Sequence, residues 1–286
     1  MKRSSVPSAP SAASLPLVDP SEYDDPHASI PQFALDLDEA PLVRWSSVAF
    51  AFRARFDALV DHNSELIKEI DQLQALPLRL LLAPLPPEQR EEVRALATLL
   101  GQPVKRLALL QLVYELFAVT GQLSGSCGCT AICQDHVDGV VHGRTLDWSW
   151  LEGLSSLLVD LSVYRNSVLL YQCTGFVGFV GVLTAMRTVD CAGGGRGSSF
   201  SVSLNYRKTY RGAWTAEGEP TLEIPPLHRN GLVWQAVFHA LLGGWPIASL
   251  LRHVVESPSC ASYSAAVSVL AAARLIAPCF LTVAGS

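Results

Sequence analysis

The sequence contains few charged residues. They make up 16% of its 286 residues, against about 25% in an average soluble protein. The 26 acidic and 21 basic residues leave a net charge of −5, which argues against a nucleic-acid-binding protein held by bulk positive charge. Hydrophobic residues account for 49%. A chain of this composition buries a sizeable core, so global disorder is excluded.

The sequence also lacks a Cys-x-x-Cys pair. Its seven cysteines include three close together, Cys127, Cys129 and Cys133, but no further Cys or His pattern completes a tetrahedral zinc set. An odd number of cysteines leaves at least one thiol free or paired between chains. We therefore expect neither a disulfide framework nor a structural zinc site.

No secretory signal or membrane span is expected either. Residues 1–28 are rich in Ser, Pro and Ala and predict a disordered arm. Prolines interrupt its only weakly apolar stretch, so this stretch does not resemble the apolar region of a signal peptide. Residues 166–186 carry no charge and reach the length of about 20 that a span needs. Polar residues and glycines interrupt this run, so buried strands are the preferred interpretation.

The chain is predicted to be helical first and sheet-rich afterwards. Residues 29–128 form a mainly helical segment and residues 129–286 form the core. The predicted helices are 47–74, one from Pro87 to the glycine at 101, 103–119, 232–242, 246–256 and 262–273. The predicted strands are 33–38, 130–133, 140–142, 156–164, 167–173, 176–184, 199–205 and 280–283. This order predicts an α+β fold with antiparallel sheets between helices.

One hairpin concentrates reactive side chains. Asp138-Gly139 is a strong turn signal, and pairing about it places Cys129 opposite the neighbourhood of Asp147 and Trp148, to within about two residues of register. A thiol, the guanidinium of Arg144 and a carboxylate then meet at one end of the hairpin. A cation near a thiol lowers the thiol pKa, as a cysteine nucleophile requires. In the alternative interpretation, Cys129 is a buried core residue and Arg144 and Asp147 form a surface pair.

The hairpin resembles the signature of a known enzyme family. A Cys-Thr strand, an acidic turn and a His-Gly-Arg motif are typical of acid ceramidase and N-acylethanolamine-hydrolysing acid amidase, which are N-terminal-nucleophile amidases. The resemblance extends over about residues 30–286. The similar segments here are Phe33–Asp38, Pro41–Trp45, Tyr114-Glu115, Cys129-Thr130, Asp135, Asp138, His142–Asp147, Gly178–Thr184, Phe200–Asn205, Trp245-Pro246, Leu250–Arg252 and Leu275–Pro278.

The resemblance implies a fold and a mechanism. The fold is an αββα layered sandwich. Cys129 would attack the Gly128 carbonyl, and hydrolysis would free Cys129 as a new amino terminus and leave two subunits. The freed amine serves as base for its own thiol, which attacks an N-acyl lipid amide, while Arg144 and Asp147 position and charge-balance the two groups. The resemblance implies no metal or organic cofactor. It does imply a lipid amide substrate, peripheral membrane contact, a role in sphingolipid metabolism and a lysosomal address.

The sequence departs from the family pattern in three places. Tyr206 stands where the family has a glutamate, a glycine-rich insertion lies at about 190–199, and the family strands that carry an oxyanion-hole asparagine and a later arginine do not follow Ser286. We therefore expect a C-terminally incomplete form of the sandwich. Two alternatives to catalysis follow: a truncated or non-catalytic relative that only binds lipid, and an unrelated binding protein with Cys129 in its core.

Overall fold

The architecture comes from a computed structural model of the chain. It describes residues 30–64, 77–120, 127–137, 139–148, 153–187, 199–207, 239–240 and 242–285. The predicted arm at 1–28, the end of the helix predicted at 47–74, the glycine-rich insertion and most of the helix predicted at 232–242 lie outside the described residues.

Eight helices are described. They are α1 (Pro41–Arg44), α2 (Ser46–His62), α3 (Leu78–Leu82), α4 (Pro87–Leu100), α5 (Val104–Gln111), α6 (Val113–Thr120), α7 (Ile247–Glu256) and α8 (Tyr263–Ala272). Sequence signals fix the ends of α4: a proline occupies its first turn, and Gly101 ends it in the left-handed conformation with φ +67°. No helix in the described ranges is both long and apolar enough to cross a membrane.

The described residues include eight strands, which form two sheets. They are β1 (Gln32–Asp36), β2 (Cys127–His136), β3 (Gly139–Trp148), β4 (Leu158–Arg165), β5 (Val168–Phe176), β6 (Thr184–Arg187), β7 (Phe200–Tyr206) and β8 (Cys279–Gly285). The larger sheet has the order β1-β4-β5-β6-β7-β8. Only its β1–β4 pair is parallel. Strands β2 and β3 form a separate two-stranded sheet.

The larger sheet has one apolar and one polar face. Along β7, Phe200, Val202 and Leu204 are almost fully buried, on the side against which α7 packs. Alternate residues point to opposite faces of a strand, so Ser201 and Ser203 face the β2–β3 hairpin, where His142 contacts both hydroxyls. Helices, six-stranded sheet and hairpin are therefore consecutive layers. The α+β class is confirmed, and the described parts of the chain supply three of the four layers of the predicted sandwich.

Two predicted elements are corrected. The helix predicted at 103–119 is two helices, α5 and α6, which meet at Leu112. The strand predicted at 176–184 is wrong, because β5 ends at Phe176 and a buried irregular segment leads to Thr184. Gly178 there adopts φ +93°, which does not continue a strand. The Gln111 side chain holds this segment, donating to Gly178 O and accepting from Val180 N, both at 2.8 Å.

A buried ion cluster joins the two halves of the chain. The carboxylate of Glu92 on α4 is fully buried and accepts hydrogen bonds from Arg44 and Arg252. Arg252 also pairs with Glu256 at 2.7 Å, and Arg44 donates to Leu37 O at 2.6 Å. Burial raises the pKa of Glu92, but the charges of Arg252 and Arg44 lower it by more, so the pKa is below its ordinary value.

Candidate active site

The hairpin positions the predicted nucleophile. Its ladder closes with the His136–Gly139 pair, and Cys129 lies opposite Leu146. The observed partner lies one residue from Asp147 and two from Trp148, which is within the predicted neighbourhood. The connection consists of residues 137 and 138 rather than 138 and 139, and moving a turn centre by one residue shifts every cross-strand partner by two.

The structure brings Cys129 and Arg144 together. Arg144 pairs across the ladder with Ala131, two residues from Cys129, so both side chains lie on the same face of the hairpin. The Arg144 Nη2 to Cys129 Sγ distance is 3.6 Å. The guanidinium is held by Leu204 O at 2.6 Å and by Thr184 Oγ1 at 3.2 Å. A cation fixed at this distance favours negative charge on the sulfur.

The other two predicted site residues, Gly128 and Asp147, are opposite each other in the ladder. The bond between Gly128 and Cys129 therefore lies inside a regular strand pair, directly across from the backbone of Asp147. The side chain of Asp147 lies outside the description. Its predicted role beside the thiol accordingly stays a prediction.

Asn205, at the end of β7, contacts the backbone around the thiol. With its oxygen accepting from Ala131 N at 3.3 Å and its nitrogen donating to Leu204 O at 3.1 Å, both ends of its amide are satisfied. The opposite orientation offers only a 3.4 Å contact from the nitrogen to Cys129 O, so we assign the first. The amide thus fastens β2 to β7 beside the nucleophile.

His142 fastens β3 to the same strand. Its Nδ1 lies 2.8 Å from Ser201 Oγ and its Nε2 lies 3.0 Å from Ser203 Oγ. Ser201 donates its proton to Ala284 O, so it accepts from Nδ1–H and Nε2 accepts from Ser203. Burial, together with the charge of Arg144, lowers the pKa of His142. A neutral imidazole fits this pattern of one donated and one accepted bond.

Sequence reasoning missed three of these residues as members of the site: Thr184, Ser201 and Ser203. The signal was present in β7, where serines and Asn205 alternate with apolar residues. Such alternation marks a strand with one buried and one polar face. It does not say which other strand the polar face meets, and that contact creates the site.

The described side chains do not form a metal centre. Within the described ranges, no three His, Cys, Asp or Glu side chains are grouped closely enough to hold a metal ion. The site instead supplies a thiol, a guanidinium and hydrogen-bonding groups. This set suits nucleophilic attack of sulfur on a carbonyl carbon.

Comparison with known proteins gives consistent relatives. No family model matches the chain. The acid ceramidase of Balaenoptera acutorostrata scammoni is 24% identical over 277 residues, covering 90% of this chain and 61% of its own. The N-acylethanolamine-hydrolyzing acid amidase of Caenorhabditis elegans is 25% identical over 255 residues, covering 88% and 63%. The chain therefore spans about three fifths of the length of these curated relatives.

Among solved structures, the Caenorhabditis elegans N-acylethanolamine-hydrolyzing acid amidase ortholog superimposes on 55% of this chain and 54% of its own. The TM-score is 0.40 at 24% identity.

Proposed function

Since the chain belongs to the family of acid ceramidase and N-acylethanolamine-hydrolysing acid amidase, we propose that it hydrolyses the amide bond of an N-acyl lipid. Cys129 is the nucleophile, and self-cleavage between Gly128 and Cys129 exposes it. The observation that carries the proposal is the Arg144 guanidinium, fixed by β6 and β7, at 3.6 Å from the Cys129 sulfur.

Maturation begins with attack of the Cys129 sulfur on the carbonyl carbon of Gly128. The Gly128–Cys129 C–N bond breaks as the new C–S bond forms, and the amide nitrogen takes a proton to become the amine of Cys129. Water then hydrolyses the thioester, giving a carboxylate on Gly128 and a free thiol. Asn205 and Arg144 support this step because they hold the strand and the sulfur on either side of the bond.

Substrate hydrolysis uses the same sulfur and the new amine. The α-amine, with an ordinary pKa of about 7.7–8.0, takes the thiol proton. The thiolate attacks the acyl carbonyl, the substrate amine leaves with that proton, and water hydrolyses the thioester to a free acid. Arg144 stabilises the thiolate, and Asp147 charge-balances the amine in this proposal. The choice between a ceramide-like and an N-acylethanolamine-like substrate, peripheral membrane contact and a lysosomal address remain parts of the proposal.

Mass spectrometry of the purified chain tests the maturation step. Wild type incubated at mildly acidic pH should yield fragments 1–128 and 129–286, whereas Cys129→Ala should stay a single chain of 30.8 kDa. The matched control is Cys133→Ala, four residues along the same strand, which should cleave as wild type does. A folded wild type that stays intact at every pH would refute the proposed maturation and favour the non-catalytic lipid-binding alternative.

Release of fatty acid from N-acyl lipid amides tests the activity. Arg144→Ala should remove both cleavage and hydrolysis, because the guanidinium that contacts the sulfur is then removed. Circular dichroism should show that this variant is folded. Full activity in folded Arg144→Ala would remove this residue from the mechanism.

A further inference from the structure

A cavity lies between the six-stranded sheet and the hairpin, beside the candidate active site. Its volume is about 330 Å³, which is within the range of small-molecule sites. Val140 and His142 of β3 line it on the hairpin side, and β1, β4, β5, β6 and β7 supply the remainder. The polar part of the lining consists mainly of Asp160, Ser162, Gln172, Thr174, Thr184 and Ser201.

The cavity is connected to the nucleophile by a row of paired residues. Asp160 of β4 pairs with Thr174 of β5, and Thr174 pairs with Thr184 of β6. Thr184 contacts Arg144, which contacts Cys129. Neighbouring strands are about 4.8 Å apart, so Asp160 lies about 10 Å from Thr184 along the sheet. This spacing suits a substrate whose carbonyl is at Cys129 and whose far end reaches Asp160.

The charge of the cavity is negative at its far end. Among the described residues that line it, Asp160 is the one carboxylate, and there is no lysine or arginine. The carboxylate accepts a hydrogen bond from Thr174 Oγ1 to its Oδ1 at 2.6 Å, and its Oδ2 can accept from a ligand. Two other titratable groups line the cavity, and neither offsets the negative charge. Burial and the charge of Arg144 lower the pKa of His142, and burial raises the pKa of the Cys173 thiol to about 12.

We propose that this cavity is a subsite for the amine portion of the substrate, and that Asp160 selects an amine portion with a second, positively charged nitrogen. This inference rests on the proposed amidase function and replaces the ceramide-like or N-acylethanolamine-like amine portion with that of an N-acylated diamine or polyamine. The acyl carbonyl lies at Cys129 and Arg144, and the chain of the amine follows the Thr184–Thr174 row. The distal ammonium pairs with Asp160.

Turnover of matched substrates tests the selection. Three amides share an octanoyl group and differ in the amine: hexylamine, 6-aminohexanol and 1,6-diaminohexane. Wild type should have the lowest KM for the diamine amide. Asp160→Asn should raise that KM by about tenfold or more relative to the hexylamide KM, since the ammonium loses a negatively charged hydrogen-bond acceptor. The control Asp61→Asn makes the same change at an exposed position of α2 and should leave the KM values of all three amides unchanged. A preference for the hexylamide or the hydroxyl amide, or a diamine KM unaffected by Asp160→Asn, would overturn the inference.

Binding separates this inference from the proposed function. Calorimetry with N-octanoyl-1,6-diaminohexane and the uncleavable Cys129→Ala chain should show an affinity about tenfold higher than with Cys129→Ala/Asp160→Asn. If wild type hydrolyses nothing but this difference is measured, the subsite stands and the amidase proposal fails. If hydrolysis is measured and the two affinities are equal, the subsite inference fails alone.

Discussion

Replacing Glu115 by glutamine should stabilise the protein at neutral pH and not at acidic pH. Glu115 lies on α6 and is 2% exposed. Its Oε1 accepts from Ile247 N at 2.7 Å, where α7 begins, while Oε2 has no hydrogen-bond partner among the described residues. Burial raises the pKa of this carboxyl from 4.5 to about 7. A glutamine keeps the acceptor for Ile247 and carries no charge.

The size and sign of the effect follow from the shift. The pKa of Glu115 is higher in the folded state than in the unfolded state. The wild-type free energy of unfolding is therefore unaffected by this carboxyl below pH 4.5 and decreases as the carboxyl ionises between pH 4.5 and about 7. A shift of this size corresponds to about 3 kcal/mol. Glu115→Gln should therefore gain up to about 3 kcal/mol of unfolding free energy over wild type at pH 8, and this gain should disappear towards pH 4.5.

Urea unfolding followed by tryptophan fluorescence between pH 4.5 and 8 measures this difference. Subtracting the wild-type curve from the variant curve cancels the other titrating groups, which the two proteins share. Glu91→Gln, an exposed carboxyl on α4, is the control and should give a nearly flat difference. A Glu115→Gln difference that is flat, or that grows towards acidic pH, would refute the assigned burial of this carboxyl.

Three further outcomes are expected. Glu92→Ala should cost about 3–5 kcal/mol of unfolding free energy, because it leaves two buried arginines without their shared carboxylate. The control Glu91→Ala should cost less than about 1 kcal/mol. Equal costs for the two variants would contradict the buried cluster. Gly178→Ala should lower stability by more than about 1 kcal/mol, because φ is +93° and a Cβ would lie 2.7 Å from an aromatic carbon of α2; an unchanged urea midpoint would contradict this. Maleimide should label Cys133, which is exposed, in the native protein and should label Cys260, which is buried, only after unfolding.

The sequence predicted most elements whose signals are local. Agreement within a few residues holds for β1, the ends of α4, α7, α8 and β8. The two hairpin strands lie where they are predicted, but they are longer, and β3 ends six residues beyond its predicted end. In each case periodicity, a proline, a glycine or a short turn carried the signal. The predicted hairpin also brings Cys129 and Arg144 to the same end, and in the observed ladder their side chains share a face.

The sequence could not predict features that depend on distant contacts. The partners of Glu92 are 48 and 160 residues away, and no local pattern marks such a pair. The apolar run at 176–184 has strand composition, yet contacts of Gln111 and the backbone conformation of Gly178 make it irregular. The serines that meet His142 come from a strand about 60 residues further along the chain.

The shared sheet sets an order of events for the proposed maturation. Strand β1 precedes the Gly128–Cys129 bond and pairs with β4, which follows it, and Glu92 joins arginines from both sides of that bond. Neither segment can complete the sheet or assemble the buried cluster alone, so in this proposal folding comes before cleavage. Self-cleavage would then occur only in a correctly folded chain. Two halves produced separately should be poor substitutes for one chain that folds and then cuts itself.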